Sequence, residues 1–173
     1  MSSINYDLTK IKAFVFDVDG VLSSDCIPMD ENGNPMRTVN IKDGYALQLA
    51  VKLGYHVAII TGAYTENITK RFGRLGIRHI YLCSAIKIND YNDFMLKTGL
   101  KDEEIAYAGD DIPDAEIMQR VGLPVAPASA APEIRQLAKY VSLKNGGEGI
   151  ARELIEQTLK AQERWMKDEA FGW

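Results

Sequence analysis

The sequence predicts an α/β fold, a parallel sheet flanked by helices, and three observations carry that prediction. Short apolar, strand-like runs alternate with amphipathic stretches along the chain, the pattern of a parallel sheet with helices on both faces. Several runs end abruptly in a polar side chain and a glycine, and in such sheets the carboxyl ends of the strands form the edge where ligands bind. Finally, 173 residues with 46% hydrophobic content suit a single domain, able to bury roughly 70% of its unfolded surface.

The first run, Phe14-Val15-Phe16, stops at Asp17-Val18-Asp19-Gly20-Val21. Alternation sends Asp17 and Asp19 the same way, and a chain curling after the strand can bring both carboxyl groups to one small volume. Like charges held together there do not both stay ionised cheaply without a cation. The arrangement suits a Mg²⁺ site in which one carboxylate attacks and the other moves protons. Taken alone, the same residues also describe an acidic loop after a strand.

Residues 27–39 follow, with Asn32-Gly33 between two short extended stretches, a strong hairpin signal. The hairpin region spans about 25–40. A helix is expected over 44–53, a strand over 56–60 ending in Thr61-Gly62, a helix over 65–75 and a short strand over 80–82. Lys87 stands just downstream, at the start of a helix over 88–98. The run at 105–108 ends in Gly109-Asp110-Asp111-Ile112-Pro113-Asp114, where Pro113 fits a first helical turn because its missing N–H costs little there. A helix over 115–121, a strand over 124–126, a helix over 133–138 and a last strand over 140–143 complete the alternation. Gly146-Gly147-Glu148-Gly149 then precedes an amphipathic stretch reaching Glu163. The tail, about 164–173, carries Trp165, Phe171 and Trp173, and can pack on its own subunit or on a neighbour.

Strand ends thus supply Asp17/Asp19, Thr61, Lys87 and Asp110/Asp111 in order, and the fold gathers them into one cleft. Asp17 is the candidate nucleophile: attack on phosphorus makes an aspartyl-phosphate and divides one hard displacement into two easier ones. Asp19 is the candidate general acid, giving a proton to the leaving oxygen and later taking one from water. Asp110 completes a Mg²⁺ shell of oxygen ligands. Asp111 and Asp114 either orient its waters or pair with Lys87. Thr61, with Gly62, can hydrogen-bond a phosphoryl oxygen, and Lys87 supplies positive charge opposite the metal.

With these residues in that order, the chain resembles the haloacid dehalogenase superfamily of phosphotransferases, over nearly its whole length. More narrowly it is similar to the small capless branch that acts on sugar-acid phosphates, through Phe16-Asp17-Val18-Asp19-Gly20-Val21-Leu22, Val39-Asn40-Ile41-Lys42-Asp43-Gly44-Tyr45, Ile59-Ile60-Thr61-Gly62, Leu75-Gly76-Ile77 and Gly146-Gly147-Glu148-Gly149. The resemblance implies Asp17 as nucleophile, Asp19 as acid/base, phosphate contacts from Thr61 and Lys87, and Mg²⁺ on Asp17, Asp110 and the Asp19 carbonyl. It implies a substrate such as 3-deoxy-D-manno-octulosonate 8-phosphate, on the way to lipopolysaccharide, with a nonulosonate 9-phosphate as the alternative. It also implies a homotetramer, the hairpin taking the place of a cap domain and, like the tail, contacting neighbouring subunits. Ala63 and Glu148 depart from the pattern, since arginine is common at both positions in that branch. A sugar acid needs a cationic contact for its carboxylate; Lys42, Arg71 and Arg74 are the candidates, with Lys42 preferred for its place between hairpin and helix.

Composition narrows the partners. The net charge of −4, with both signs mixed along the chain, argues against nucleic acid, which needs a basic face. No apolar run approaches the ~20 residues of a membrane span. The first residues lack the parts of a signal peptide, and the two cysteines, Cys26 and Cys83, show no metal spacing. A cytoplasmic, reduced protein is expected, with Cys83 a buried filler and His56 and His79 structural. A phospho-acceptor receiver domain also combines aspartates, Thr or Ser and Lys around Mg²⁺. Its acceptor aspartate, however, ends the middle strand, whereas Ile60 here is followed by Thr61.

Overall fold

Four-residue strand β1 (Ala13–Phe16) is wholly buried, and the rest of the computed structural model, which describes residues 4–172, is built outward from it. In chain order come α1 (Ile41–Lys52), β2 (His56–Ile60), α2 (Glu66–Gly73), β3 (His79–Tyr81), α3 (Lys87–Thr98), β4 (Ile105–Ala108), α4 (Ala115–Arg120), β5 (Leu123–Ala126), α5 (Pro132–Leu137), β6 (Tyr140–Val141) and α6 (Ile150–Ala161). The strands form one sheet in the order β3-β2-β1-β4-β5-β6, every neighbouring pair parallel. The chain therefore winds outward from β1 to one edge, returns, and winds to the other from β4. Between β1 and β4 the winding reverses, and the crevice beyond the strand ends there is the ligand position of open α/β sheets.

Alternation within each strand sorts the core into two layers. Phe14, Phe16, Val57, Ile59, Ala106 and Ala108 pack with residues of α1, α2 and α6. Ala13, Val15, Ala58, Ile60, Ile105 and Tyr107 pack with residues of α3, α4 and α5. Covered on both sides, the strands read as continuous apolar runs. Register aligns their carboxyl ends: Phe16 sits opposite Ile59 and Ala108, so the residues following all three strands emerge side by side.

Most elements lie within a few residues of their predicted bounds. Helix α1 starts three residues earlier than expected because the Asn40 side chain accepts from the N–H groups of Lys42 and Asp43, satisfying donors that would otherwise be orphaned. The final strand is shorter than 140–143, ending at Val141.

The predicted hairpin is rudimentary. Among the described residues it has one antiparallel bridge, Met29 to Pro35, closed by Asp30, whose carboxylate accepts from the N–H groups of Asn32 and Asn34 and from the Asn34 amide. Gly33 adopts φ +78° at the turn, a conformation glycine takes without strain. Met29, Met36, Val39 and Ile41 are left exposed around it.

One expectation needs correction. Cys83 is exposed rather than buried, because it lies in the loop after β3 with φ +52°. The tail is laid on its own chain: the Arg152 guanidinium stands 4.8 Å from the Trp165 ring, Tyr45 donates to the Ala170 carbonyl, and Phe171 stays exposed. Trp173 lies outside the described residues. His79 meets the edge of Phe94 at 5.2 Å and His56 opens β2.

Candidate active site

Beyond the carboxyl ends of β1, β2 and β4 lies a cleft of about 450 Å³ lined by Asp17, Asp19, Gly20, Thr61, Gly62, Lys87, Asp110, Asp111 and Asp114, among others. The parallel register thus brings residues from four stretches of the chain to one place.

Asp17 directly follows β1, and its N–H still donates to the Ala108 carbonyl of β4. One carboxylate oxygen accepts from the Val18 N–H at 2.6 Å and the other from Lys87 Nζ at 2.7 Å. Burial and the nearby Asp114 charge push the Asp17 carboxyl up to about 6, against the pull of Lys87. Lys87 is the first residue of α3, where a cation opposes the helix dipole. Two buried carboxylates fix it there, because its Nζ also donates to Asp114 at 2.7 Å. Burial alone would lower its pKa; Asp17 and Asp114 outweigh that and raise it.

Asp114 is completely buried. Besides Lys87 it accepts from the Tyr107 hydroxyl and from the N–H groups of Asp110 and Asp111. Of the two roles open to it, water orientation and pairing with Lys87, the geometry gives the second. Gly109 makes the loop possible: a Cβ there would lie 2.5 Å from the Asp114 side chain. Asp111, by contrast, is exposed and caps the following turn by accepting from the Ile112 N–H.

Asp110 faces the other side of the cleft. Burial, then the charges of Asp17 and Asp114, push its carboxyl to about 7. Gly20 gives it room: a Cβ on Gly20, at φ +80°, would stand 2.0 Å from Asp110 Oδ2. The glycine-rich segment backs this loop, with the Gly147 N–H donating to the Val21 carbonyl; a Cβ on Gly146 would lie 2.1 Å from the Gly20 carbonyl oxygen.

Thr61 is buried at the end of β2 and its Oγ1 accepts from the Ala63 N–H, which turns the backbone of Gly62 and Ala63 along the cleft wall. Asp19 points elsewhere. Its two carboxylate oxygens accept from Arg37 Nε and Nη2 at 2.5 and 2.7 Å, a bidentate pair.

One oxygen from each of Asp17, Asp110 and Asp114 lies within 4.8 Å of the others, and three carboxylates facing a single lysine leave negative charge to be balanced. Asp114 is occupied by its four donors, so Asp17 and Asp110 are the two side chains whose geometry and charge fit a hard divalent cation.

Lys42 is not brought to this cleft. It lies exposed in the first turn of α1, against a separate hollow lined also by Lys144, Glu148 and Arg152. Glu148 is folded into its own loop, accepting from the Asn145 N–H, while Ala63 does line the cleft. The sequence reading missed Arg37 and Tyr107. Tyr107 is a core position of β4 whose hydroxyl happens to reach Asp114. Arg37 is an isolated charge that the path of the chain brings to Asp19, whereas Asp43 lies outside the cleft and accepts from the Arg152 N–H of α6.

Fold and site together define a parallel α/β enzyme of the phosphoryl-transfer type, with strand-end carboxylates opposite a buried lysine. Residues 85–154 match the haloacid dehalogenase-like hydrolase family. The chain is 39% identical over 162 residues to 3-deoxy-D-manno-octulosonate 8-phosphate phosphatase of Escherichia coli strain K12, covering 94% of this chain and 85% of the relative. Among solved structures, a haloacid dehalogenase superfamily (subfamily III A) hydrolase from Legionella pneumophila superposes with a TM-score of 0.89 at 38% identity, over 95% of this chain and 89% of that one. The 3-deoxy-D-manno-octulosonate 8-phosphate phosphatase from Moraxella catarrhalis, solved with magnesium, phosphate and the sugar acid, has a TM-score of 0.87 at 32% identity, over 92% of this chain and 91% of that one. The chain belongs to the haloacid dehalogenase-like hydrolase family.

Proposed function

We propose that this protein is a magnesium-dependent phosphatase that releases phosphate from 3-deoxy-D-manno-octulosonate 8-phosphate. The observation that carries the reading is Asp17, held at both oxygens by the Val18 N–H and Lys87, beside Asp110 in a cleft open to solvent. The substrate follows from the curated relative at 39% identity over 94% of the chain.

Asp17 attacks phosphorus, forming the aspartyl-phosphate as the bond from phosphorus to the sugar oxygen breaks. Asp19 gives its proton to that leaving oxygen. It then takes one from the water that attacks the aspartyl-phosphate and regenerates Asp17, releasing inorganic phosphate. Thr61 and the Gly62 backbone donate to phosphoryl oxygens. Lys87, immobilised between Asp17 and Asp114, offsets the charge that develops there. Asp17 and Asp110, with the Asp19 carbonyl that the family resemblance implies, would hold magnesium, which would supply the remaining charge neutralisation.

The same reading makes the protein a cytoplasmic homotetramer acting in lipopolysaccharide synthesis. Exposed Met29, Met36, Val39 and Ile41 around the hairpin segment support the contact between copies, since grouped apolar surface favours being covered. The solution mass, with and without residues 164–173, tests the assembly and the tail's part in it.

The activity is tested by phosphate release in Mg²⁺ from the eight-carbon ester and from nine-carbon nonulosonate 9-phosphates. Higher kcat/KM for the eight-carbon ester supports the proposal. Preference for a nine-carbon ester keeps the chemistry and reassigns the substrate.

A further inference from the structure

The Asp19–Arg37 pair places a cation at the mouth of the reaction that the proposed chemistry has not used. Arg37 comes from the exit of the hairpin segment, its side chain is 14% exposed, and its guanidinium clasps both oxygens of Asp19. Four observations define what it can do. The carboxylate it holds lines the cleft and is the one assigned to the leaving oxygen, so Arg37 reaches the cleft through Asp19. A carboxylate whose two oxygens are both engaged by a fork of N–H donors is not free to turn toward a substrate oxygen. Lys42, the cation preferred from sequence for an anionic leaving group, lies outside the cleft. Arg37 also lines a neighbouring hollow of about 80 Å³, together with Ser23, Asp43 and Arg71. In that hollow Ser23 Oγ and Asp43 Oδ2 are buried without hydrogen-bond partners.

We propose that Arg37 is a specificity-determining residue that exchanges its partner: in the free protein it holds Asp19, and in the substrate complex it holds the carboxylate of the sugar acid. This inference rests on the reading given under Proposed function and deepens it. The physical reason is that the guanidinium fork binds one carboxylate bidentately at a time. An ester whose leaving group carries a carboxylate replaces Asp19 with an equivalent partner and releases it to face the leaving oxygen. An ester of an uncharged sugar offers nothing in exchange, so Asp19 stays clasped. Discrimination is then set at the site of chemistry, as the energy of one charge-assisted pair. The hairpin segment becomes part of the active site of its own subunit.

The test compares kcat/KM for 3-deoxy-D-manno-octulosonate 8-phosphate and for a hexose 6-phosphate, which lacks the carboxylate, in the wild type, Arg37→Ala and Arg37→Lys. In Arg37→Ala the loss on the acid ester should exceed that on the hexose ester by about 10- to 100-fold, the scale of a lost charge-assisted pair. It should include a rise in KM confined to the acid ester. Arg37→Lys keeps the charge and loses the fork, so it should restore part of that preference, and it serves as the test if the alanine variant does not fold. Equal losses on both esters, or an unchanged ratio in either folded variant, overturn the inference and leave the phosphatase reading standing. A wild-type protein that turns over the hexose ester as well as the acid ester removes the substrate assignment, and the inference with it.

Discussion

Replacing Asp43 with asparagine should abolish a defined part of the protein's pH-dependent stability. Asp43 lies in the first turn of α1, 3% exposed, and crosses to α6, where one oxygen accepts from the Arg152 N–H at 2.7 Å. Its other oxygen is buried with no partner. Burial pushes the carboxyl up to about 6, against the pull of backbone donors, Lys144 and Arg152. A carboxyl whose folded pKa is raised stabilises the fold below its unfolded value of 3.8, and that contribution is lost as pH rises through the folded value. At pH 5 the unfolded group is mostly ionised while the folded one is mostly protonated, one unit below its pKa. The residual stabilisation is about 1.4 kcal/mol, and it vanishes by pH 8. Asparagine keeps the shape and the acceptor for the Arg152 N–H but does not titrate. Urea unfolding of wild type and Asp43→Asn, both in saturating Mg²⁺, should show the stability difference moving by about 1.4 kcal/mol in favour of the variant between pH 5 and pH 8. An unchanged difference across that range would refute the argument, because Asp43 would then be ionised in both states throughout.

Other predictions follow from the same geometry. Gly20→Ala sets a Cβ 2.0 Å from Asp110 Oδ2 at φ +80°, so the Mg²⁺ concentration for half-maximal activity should rise by about 10- to 100-fold; an unchanged value would remove Asp110 as a ligand. Lys87→Met leaves Asp17 and Asp114 buried without their cation and should cost about 3–5 kcal/mol of stability by urea unfolding, whereas a loss under 1 kcal/mol would contradict the role given to the pair. Asp17 and Asp110, raised to about 6 and about 7, must lose protons to bind a cation. Mg²⁺ affinity should therefore strengthen by about tenfold or more between pH 6 and pH 8. In the metal-free protein these two groups favour the fold below the unfolded value of 3.8 and lose that contribution as pH rises through 6 to 7. A pH-independent Mg²⁺ affinity would contradict both shifts.

The sheet was legible because burial on both faces forces apolar runs, and because each run ends where a polar group and a glycine leave the core. The same signal placed Asp17, Thr61 and Asp110 at one edge. Asp114 was legible as a charge and ambiguous as a role. Only the turn at Gly109 and Pro113 shows its carboxylate pointing inward to Lys87. The Asp19–Arg37 pair was not legible, since the partners are 18 residues apart across a segment whose path depends on one bridge and the cap of Asp30. Lys42 was assigned by its nearness in sequence to Asp17, but α1, capped by Asn40, sets it against a separate hollow. Cys83 looked like a core filler because the residues before it belong to β3; the strand ends two residues earlier.

The most direct test of the central claim, that Asp17 carries the phosphoryl group, is the kcat of Asp17→Asn in saturating Mg²⁺. Its fold would be verified by urea unfolding alongside. The amide keeps the shape and removes the nucleophile, so the account predicts a loss of about 10⁴-fold or more with the fold preserved. A folded variant turning over within tenfold of wild type would contradict it and send the search for the attacking group elsewhere in the cleft.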